Sequence, residues 1–162
     1  MGKHAELLDM VGMAIRVNRG GPEVIVGKLL AAKPDHIVVY TEGGAVYVKT
    51  KHIKSVTVNS KDYSDLMPLP CDYVQPKFID EEDFEKVLEK MEGRWIQVNR
   101  GGPDKVEGIL VKSCEDTSMV VAGNEVIHVM NYHIRSVSFA PQKQADDKEK
   151  DEKNSVGHEA KK

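Results

Sequence analysis

The residues of this sequence best suited to chemistry lie in a glycine-rich segment that occurs twice. The two occurrences are 81 positions apart and read Val17-Asn18-Arg19-Gly20-Gly21-Pro22 and Val98-Asn99-Arg100-Gly101-Gly102-Pro103. Backbone N–H groups in such a turn can hold a phosphate, and the arginine adds positive charge. However, no GxxxxGK[ST] or GxGxxG pattern accompanies the segment, which joins strand to strand without a helix N-terminus. We therefore predict two hairpin turns, with Asn and Arg side chains available for contacts with a partner.

Two histidines, His52 and His133, are also matched between the copies. Their separation prevents a local metal motif, and no neighbouring Cys or His supplies a third ligand. Ser55 and Ser136 follow three positions later, and odd spacings in a strand direct side chains to opposite faces, so no nucleophile–base pair is expected. We predict that each histidine caps a 3₁₀ turn through a local hydrogen bond, and we expect neither an enzyme nor a cofactor.

The other side chains with possible chemistry are dispersed along the chain. The cysteines, Cys71 and Cys114, occupy non-equivalent positions and predict neither a zinc site nor a disulfide framework. Trp95 is the single tryptophan and stands where the first copy has Ala14, so we expect a core or copy–copy contact before a partner hot spot. The unmatched histidines are expected at the surface: His4, His36, His128 and His158.

The composition bounds the class of protein. The chain has 162 residues, 40% hydrophobic and 30% charged, with a mean hydropathy of −0.43, as in a soluble globular protein with a solvated tail. A net charge of −3 and a pI near 6.1 argue against a general affinity for nucleic acid. No apolar run is long enough to cross a bilayer, and the N-terminus lacks the apolar region of a signal peptide. We therefore expect synthesis in the cytoplasm and no membrane partner.

Each copy must position its turn and histidine with the same series of elements. A helical pattern comes first; in the second copy Asp80 is the predicted N-cap and Gly93 the C-terminal stop. Its apolar stripe is formed by Phe84, Val87, Leu88 and Met91. A short strand, the glycine-rich turn and a second strand follow, and Gly27 or Gly108 marks a bend in that second strand. Three more strands complete the copy, with a 3₁₀ turn before the last one.

This order predicts a mainly β protein with short helices, built as a tandem duplication of a small Sm-like or SH3-like barrel with about five strands per copy. Residues 1–58 would form the first barrel repeat and residues 80–140 the second. Residues 59–79 would be an ordered, proline-containing linker. Residues 141–162 are rich in Lys, Asp and Glu and are expected to be a disordered tail.

With these motifs in place, the chain resembles the spore coat protein B (CotB) family of endospore-forming bacilli. The residues that carry the resemblance are the two Asn-Arg-Gly-Gly-Pro segments together with His52-Ile53-Lys54-Ser55-Val56 and His133-Ile134-Arg135-Ser136-Val137. The resemblance implies a structural protein of the outer spore coat, made in the mother-cell cytoplasm and incorporated through contacts with other coat proteins. It implies no catalytic residues.

The C-terminal segment departs from the longer members of that family, which have a region rich in serine and basic residues. Here the last residues are acidic and basic in balance, and Ser155 is the only serine after residue 140. A short member of the family without kinase-dependent maturation is therefore expected.

The leading hypothesis is a non-enzymatic component of the spore coat that binds other coat proteins and possesses strand edges suited to self-association. The alternative is an Sm-like RNA-binding module, favoured by the barrel pattern and the matched Asn-Arg pairs. The acidic balance and the lack of a basic stripe with stacking aromatic residues argue against that alternative.

Overall fold

The computed structural model describes residues 5–59 and 76–140, which form short helices and a large antiparallel sheet. The strands and helices in chain order are α1 Ala5–Asp9, β1 Ala14–Val17, β2 Ile25–Ala32, β3 His36–Thr41, β4 Gly44–Lys49, β5 Val56–Val58, α2 Phe84–Lys90, β6 Trp95–Val98, β7 Val106–Ser113, β8 Thr117–Ala122, β9 Glu125–Met130 and β10 Ser136–Phe139. One 3₁₀ turn precedes the last strand of each copy: Thr50–His52 in the first and Asn131–His133 in the second. The prediction of a mainly β protein with short helices is confirmed.

The ten strands form one open sheet in the order β5-β1-β2-β3-β4-β10-β6-β7-β8-β9. Each copy contributes five consecutive strands with the same internal order, last-first-second-third-fourth. The fourth strand of the first copy pairs with the last strand of the second copy, so β4 and β10 join the two halves. The predicted pair of separate barrels is therefore not confirmed, because the backbone groups along one side of β4 are satisfied by the other copy.

Both copies bend their second strand at the same place. A Cβ atom on Gly27 would lie 2.2 Å from the carbonyl oxygen of Tyr40, and one on Gly108 would lie 2.4 Å from that of Val121. The register then shifts in the stretch after each glycine, in β2 against β3 and in β7 against β8. These glycines are required by the close approach of the neighbouring strand, and the shift has the form of a β-bulge.

Two hydrophobic cores lie on the sheet. The first belongs to the first copy and comprises Met13, Ile15, Val17, Ile25, Leu29, Ile37, Val39, Val46 and Val48. The second combines residues of the second copy and α2 with Leu30, Val38 and Tyr47 of the first. Strands β2, β3 and β4 therefore bury both faces, one against their own copy and the other against the second.

Helix α2 begins later than predicted. Its N-cap residue is Asp83, and the Phe84 N–H donates 3.0 Å to Asp35 Oδ2 of the first copy. Asp80 instead forms an ion pair with Lys33, an interaction that raises the lysine pKa. The acidic residues before α2 thus connect it to the first copy.

Helix α2 ends at Lys90 with Met91 as its C-cap, two residues before Gly93, the residue predicted at the C′ position. Gly93 has a φ of +81°, and its N–H donates 2.7 Å to the Leu110 carbonyl. Gly12 is its counterpart in the first copy, with a φ of +94° and a 2.8 Å hydrogen bond to the Leu29 carbonyl. A positive φ is accessible to glycine without a Cβ clash, which explains the residue type at both positions.

Several sequence expectations fall outside the described residues. They concern the tail at 141–162, most of the linker, Cys71, His4 and His158. At the end of the linker, Phe78 and Ile79 pack against the second core, and the Ile79 N–H donates 2.7 Å to the Tyr47 hydroxyl.

Candidate functional site

An asparagine in each glycine-rich turn fastens that turn to the last strand of the same copy. Asn99 has a φ of +58° and is 4% exposed. Its side-chain Oδ1 accepts a 2.8 Å hydrogen bond from the Arg135 N–H, and its Nδ2 donates 3.2 Å to the Asp104 carbonyl. Because the left-handed region is tolerated by asparagine better than by most residues, one side chain both shapes the turn and bridges two segments.

The first copy repeats this arrangement. Asn18 has a φ of +63°, accepts a 2.9 Å hydrogen bond from the Lys54 N–H and donates 3.3 Å to the Glu23 carbonyl. Its backbone N–H also donates 2.7 Å to the Ser55 carbonyl. The glycine-rich segment and the later His-Ile-basic-Ser-Val segment therefore occur together because one asparagine binds both.

The glycines of the turn differ in what they require. Gly21 and Gly102 have φ values of +86° and +80°, in the left-handed region that favours glycine. A Cβ atom on Gly101 would lie 2.6 Å from Pro22 Cβ, whereas one on Gly20 would have nothing within 4 Å. The two turns thus touch each other, proline of the first against glycine of the second, and only one of the two matched glycines is crowded.

An ion pair spans the same contact between the copies. Arg135 of the second copy lies 2.9 Å from a Glu23 carboxylate oxygen, although the angles are not those of a hydrogen bond, and 3.7 Å from Asp104. The Lys49 N–H donates 2.9 Å to the Arg135 carbonyl. We name the contact formed by β4, β10, Pro22 with Gly101, and Glu23 with Arg135 the inter-copy junction.

His52 contacts the other copy. Its Nε2–H donates 3.2 Å to the Tyr132 carbonyl, so the local capping bond expected for this residue is replaced by a bond across the inter-copy junction. Burial lowers the pKa of His52; the Tyr132 carbonyl opposes this, and the cations Lys51, Lys49 and Arg135 reinforce it. His133 is exposed, with its ring centroid 4.2 Å from that of Tyr132.

The two arginines and the tryptophan singled out in the sequence have no side-chain contact at the inter-copy junction among the interactions described above. Arg19 is exposed, Arg100 is half-buried, and the Arg100 carbonyl accepts a 3.4 Å hydrogen bond from Gln97. Trp95 is half-buried at the start of β6, and its carbonyl accepts 3.0 Å from the Ala140 N–H. The structure brings the turn residues of the two copies together and leaves Trp95 outside this contact.

The expectation for His36 was wrong. It is fully buried, with Nδ1 2.6 Å from Asp35 Oδ1 and its ring centroid 5.9 Å from that of Phe84. The contact with α2 explains the burial, because the helix of the second copy covers this end of β3. The signal in the sequence was the apolar run Ile37-Val38-Val39 directly after His36, which is typical of a strand buried on both faces. His128, by contrast, is exposed as expected.

The described residues offer little for bond-making chemistry. Within 5–59 and 76–140, no three His, Cys, Asp or Glu side chains are placed to hold a metal ion. The Ser136 hydroxyl is buried and has no hydrogen-bond partner in these ranges, so His133 does not activate it. None of the helices in these ranges is long and apolar enough to cross a bilayer. The geometry is that of a joint between two sheet halves.

Fold and site together define a duplicated β-sheet protein whose halves are joined strand to strand at matched turns. Residues 5–58 match the family model described as Domain of unknown function (DUF2642). The chain is 30% identical over 152 residues to spore coat protein B of Bacillus subtilis (strain 168), covering 93% of this chain and 38% of that protein. The similarity supports a CotB-like family for this chain, as the paired motifs indicated. It spans 38% of the length of that relative, and this similarity does not favour the RNA-binding alternative.

Proposed function

We propose that this protein is a structural component of the bacterial spore coat that acts without catalysis, by binding other coat proteins. The observation that carries the proposal is the similarity to spore coat protein B over 93% of the chain. The partners would be other coat proteins, and the location would be the coat after synthesis in the mother-cell cytoplasm.

The sheet supports an assembly role through its two outer strands. Within the described residues β5 and β9 each pair along one side only. A strand edge with unpaired N–H and C=O groups is a template for adding another strand. β9 also presents apolar side chains to solvent, with Val126 57% and Met130 41% exposed.

We further propose that each copy is an Sm-like or SH3-like unit opened for pairing with its neighbour. Supporting features are the five-strand order common to both copies, the bend at the second strand and the 3₁₀ turn before the last strand. The unit boundaries at 1–58 and 80–140 belong to this proposal.

An in-frame fluorescent fusion of the full chain, followed through sporulation, tests the coat proposal. We expect fluorescence to move from the mother-cell cytoplasm to a shell around the forespore and to remain with purified spores. Extraction of those spores should release the protein with the coat fraction. A signal that stays diffuse throughout sporulation would contradict the proposal.

A further inference from the structure

The inter-copy junction uses one surface from each copy, and the unused equivalents of both surfaces lie at opposite ends of the sheet. The junction takes the fourth strand of the first copy and the last strand of the second. The last strand of the first copy, β5, and the fourth strand of the second, β9, are the outer strands. We propose that β9 of one chain pairs with β5 of a second copy of the same chain, reproducing the inter-copy junction between molecules.

The register of this pairing follows from the 81-residue repeat. In the junction, Ser136, Val137 and Ser138 lie opposite Val48, Tyr47 and Val46. Their counterparts between chains are Ser55, Val56 and Thr57 opposite Val129, His128 and Ile127. Tyr47 is 1% exposed in the junction, whereas His128 is exposed. The residues of β9 thus occupy positions that are covered in the first copy.

Backbone direction supports the same pairing. The Ser136 carbonyl accepts a 2.9 Å hydrogen bond from the residue after β6, so by alternation Val137 directs its N–H and C=O groups toward β4. Val56, the counterpart of Val137, therefore directs these groups to the open side of β5. On β9, His128 is the counterpart of Tyr47, which lies opposite Val137 in the junction. His128 therefore presents its N–H and C=O groups to the open side of β9. The two edges are complementary as an antiparallel ladder.

A glycine that nothing in the described residues requires supports the pairing independently. Gly101 is crowded by Pro22, whereas its counterpart Gly20 has empty space around it and no positive φ. Neither backbone conformation nor packing within the described residues demands glycine at position 20. In the intermolecular junction, Pro103 of the second copy would stand against Gly20 as Pro22 stands against Gly101.

The charged residues beside the two edges are complementary as well. Glu23 and Arg135 form the ion pair of the junction. Their counterparts are Asp104, whose side chain is 69% exposed, and Lys54, which is also exposed. These opposite charges would meet at the rim of the contact between chains, where they contribute more to orientation than to affinity.

One junction contact has no equivalent between chains. Lys49 Nζ donates to the Asn131 carbonyl across the junction, and the counterpart of Lys49 is Met130, which cannot donate. The link between chains also lacks the covalent connection that holds the two copies together. We therefore expect assembly to be reversible and to depend on protein concentration.

Because β9 and β5 are different surfaces, the association is heterologous. It continues from chain to chain until a ring closes or a filament forms. This inference deepens the proposed function and rests on it for its biological purpose, because it names a second copy as the partner. A two-fold dimer that pairs β9 of one chain with β9 of another would not reproduce the inter-copy junction.

The test measures the mass of the purified full chain by light scattering after gel filtration over a range of concentrations. We expect particles of three or more 18.1 kDa chains that dissociate on dilution. Monomer at every concentration, or a dimer that grows no further, would overturn the proposal.

Two edge-blocking variants make the test specific. His128→Pro removes the N–H that β9 offers and is tolerated best on an edge strand. Gly20→Glu fills the space meant for Pro103 and places a negative charge near Asp104. Each variant alone should be monomeric, and an equal mixture should stop at a dimer because one intact edge of each kind remains. Gly43→Glu, in a hairpin with only an ordinary contact to Thr41, is the control and should assemble like the unmodified chain.

Circular dichroism and thermal unfolding of every variant show whether the monomer is folded. If a folded blocked variant still forms large particles, or the mixture exceeds a dimer, the proposed edges are wrong. Loss of assembly with the coat signal of the fusion retained would leave the proposed function intact. A diffuse fusion with intact assembly in solution would overturn the coat function alone.

Discussion

At the scale of single residues, the repeated asparagine explains why two distant motifs occur together. A pattern search finds Asn-Arg-Gly-Gly-Pro and His-Ile-basic-Ser-Val as separate signatures. In the structure, Asn99 bonds to Arg135 at 2.8 Å and to the Asp104 carbonyl at 3.2 Å, and Asn18 does the same in its own copy. The arginine of the first motif, which was the candidate for phosphate binding, is exposed in the first copy and half-buried in the second.

Asn99→Ala should destabilise the chain more than Asn99→Asp. Alanine leaves the Arg135 N–H without its side-chain acceptor in a partly buried place, a loss of about 1–3 kcal/mol, and it lacks the side-chain hydrogen bonds by which asparagine tolerates a φ of +58°. Aspartate keeps the acceptor and tolerates a positive φ, so it should lose less, although it replaces the donor to the Asp104 carbonyl by a charged oxygen. Urea denaturation of both variants measures the free energy of unfolding, and equal stability of Asn99→Ala and the unmodified chain would contradict the asparagine's role.

His52 should make stability fall in mild acid. Burial holds its pKa in the folded chain below the ordinary value of about 6.5, so the unfolded chain takes up the proton first as pH decreases. Stability is therefore complete above about pH 6.5 and declines as the pH falls below that value. His52→Gln, which can still donate to the Tyr132 carbonyl, should show a smaller loss of Tm between about pH 7.5 and about pH 5.5.

The exposed counterpart is the matched control for that change. His133→Gln should keep the acid sensitivity of the unmodified chain, because the His52 bond across the junction is untouched. If the two variants respond to pH alike, the His52 imidazole is not the source of the dependence.

At the scale of elements, the bend in the second strand of each copy depends on one glycine. Gly27→Ala would place its Cβ 2.2 Å from the Tyr40 carbonyl oxygen, so β2 and β3 must separate. The expected cost is about 1–3 kcal/mol, as for overpacking in a core. Gly43→Ala adds a Cβ whose nearest neighbour is 3.8 Å away, and it should leave the unfolding midpoint unchanged. Thermal unfolding of both variants checks the difference, and a Gly27→Ala chain as stable as Gly43→Ala would contradict it.

Most elements follow from local patterns because their determinants are local. The strand alternation depends on neighbours close in the chain, and each bend glycine depends on the strand that follows it, so the element order of each copy was predictable. The start of α2 was not, because Asp83 precedes a helix whose first N–H is satisfied by Asp35. The burial of His36 was missed for the same reason: its cover comes from the other copy.

At the scale of the whole molecule, the duplication acts through its edges. The sequence indicates two equivalent units but not how they meet, since β4 can be completed either by its own copy or by the other. The structure selects the second possibility, and the sheet consequently ends in two different strands. A joint of this kind can be repeated between chains without any new type of contact.

The most direct test of that claim is an engineered disulfide between chains at the expected register. Ser55→Cys and Val129→Cys, with Cys71 and Cys114 replaced by serine, occupy the place of Ser136 and Val48 in the junction. Those positions form a non-hydrogen-bonded pair with Cα atoms about 4.5 Å apart, within the reach of a disulfide. Oxidation should give a ladder of linked chains on a non-reducing gel.

Ser55→Cys with His128→Cys is the control, because a one-residue shift directs the second thiol to the opposite face of β9. We expect a ladder for the first pair and single chains for the second under the same oxidation. Single chains for both pairs, or equal ladders for both, would contradict the claim that β9 and β5 repeat the junction between molecules.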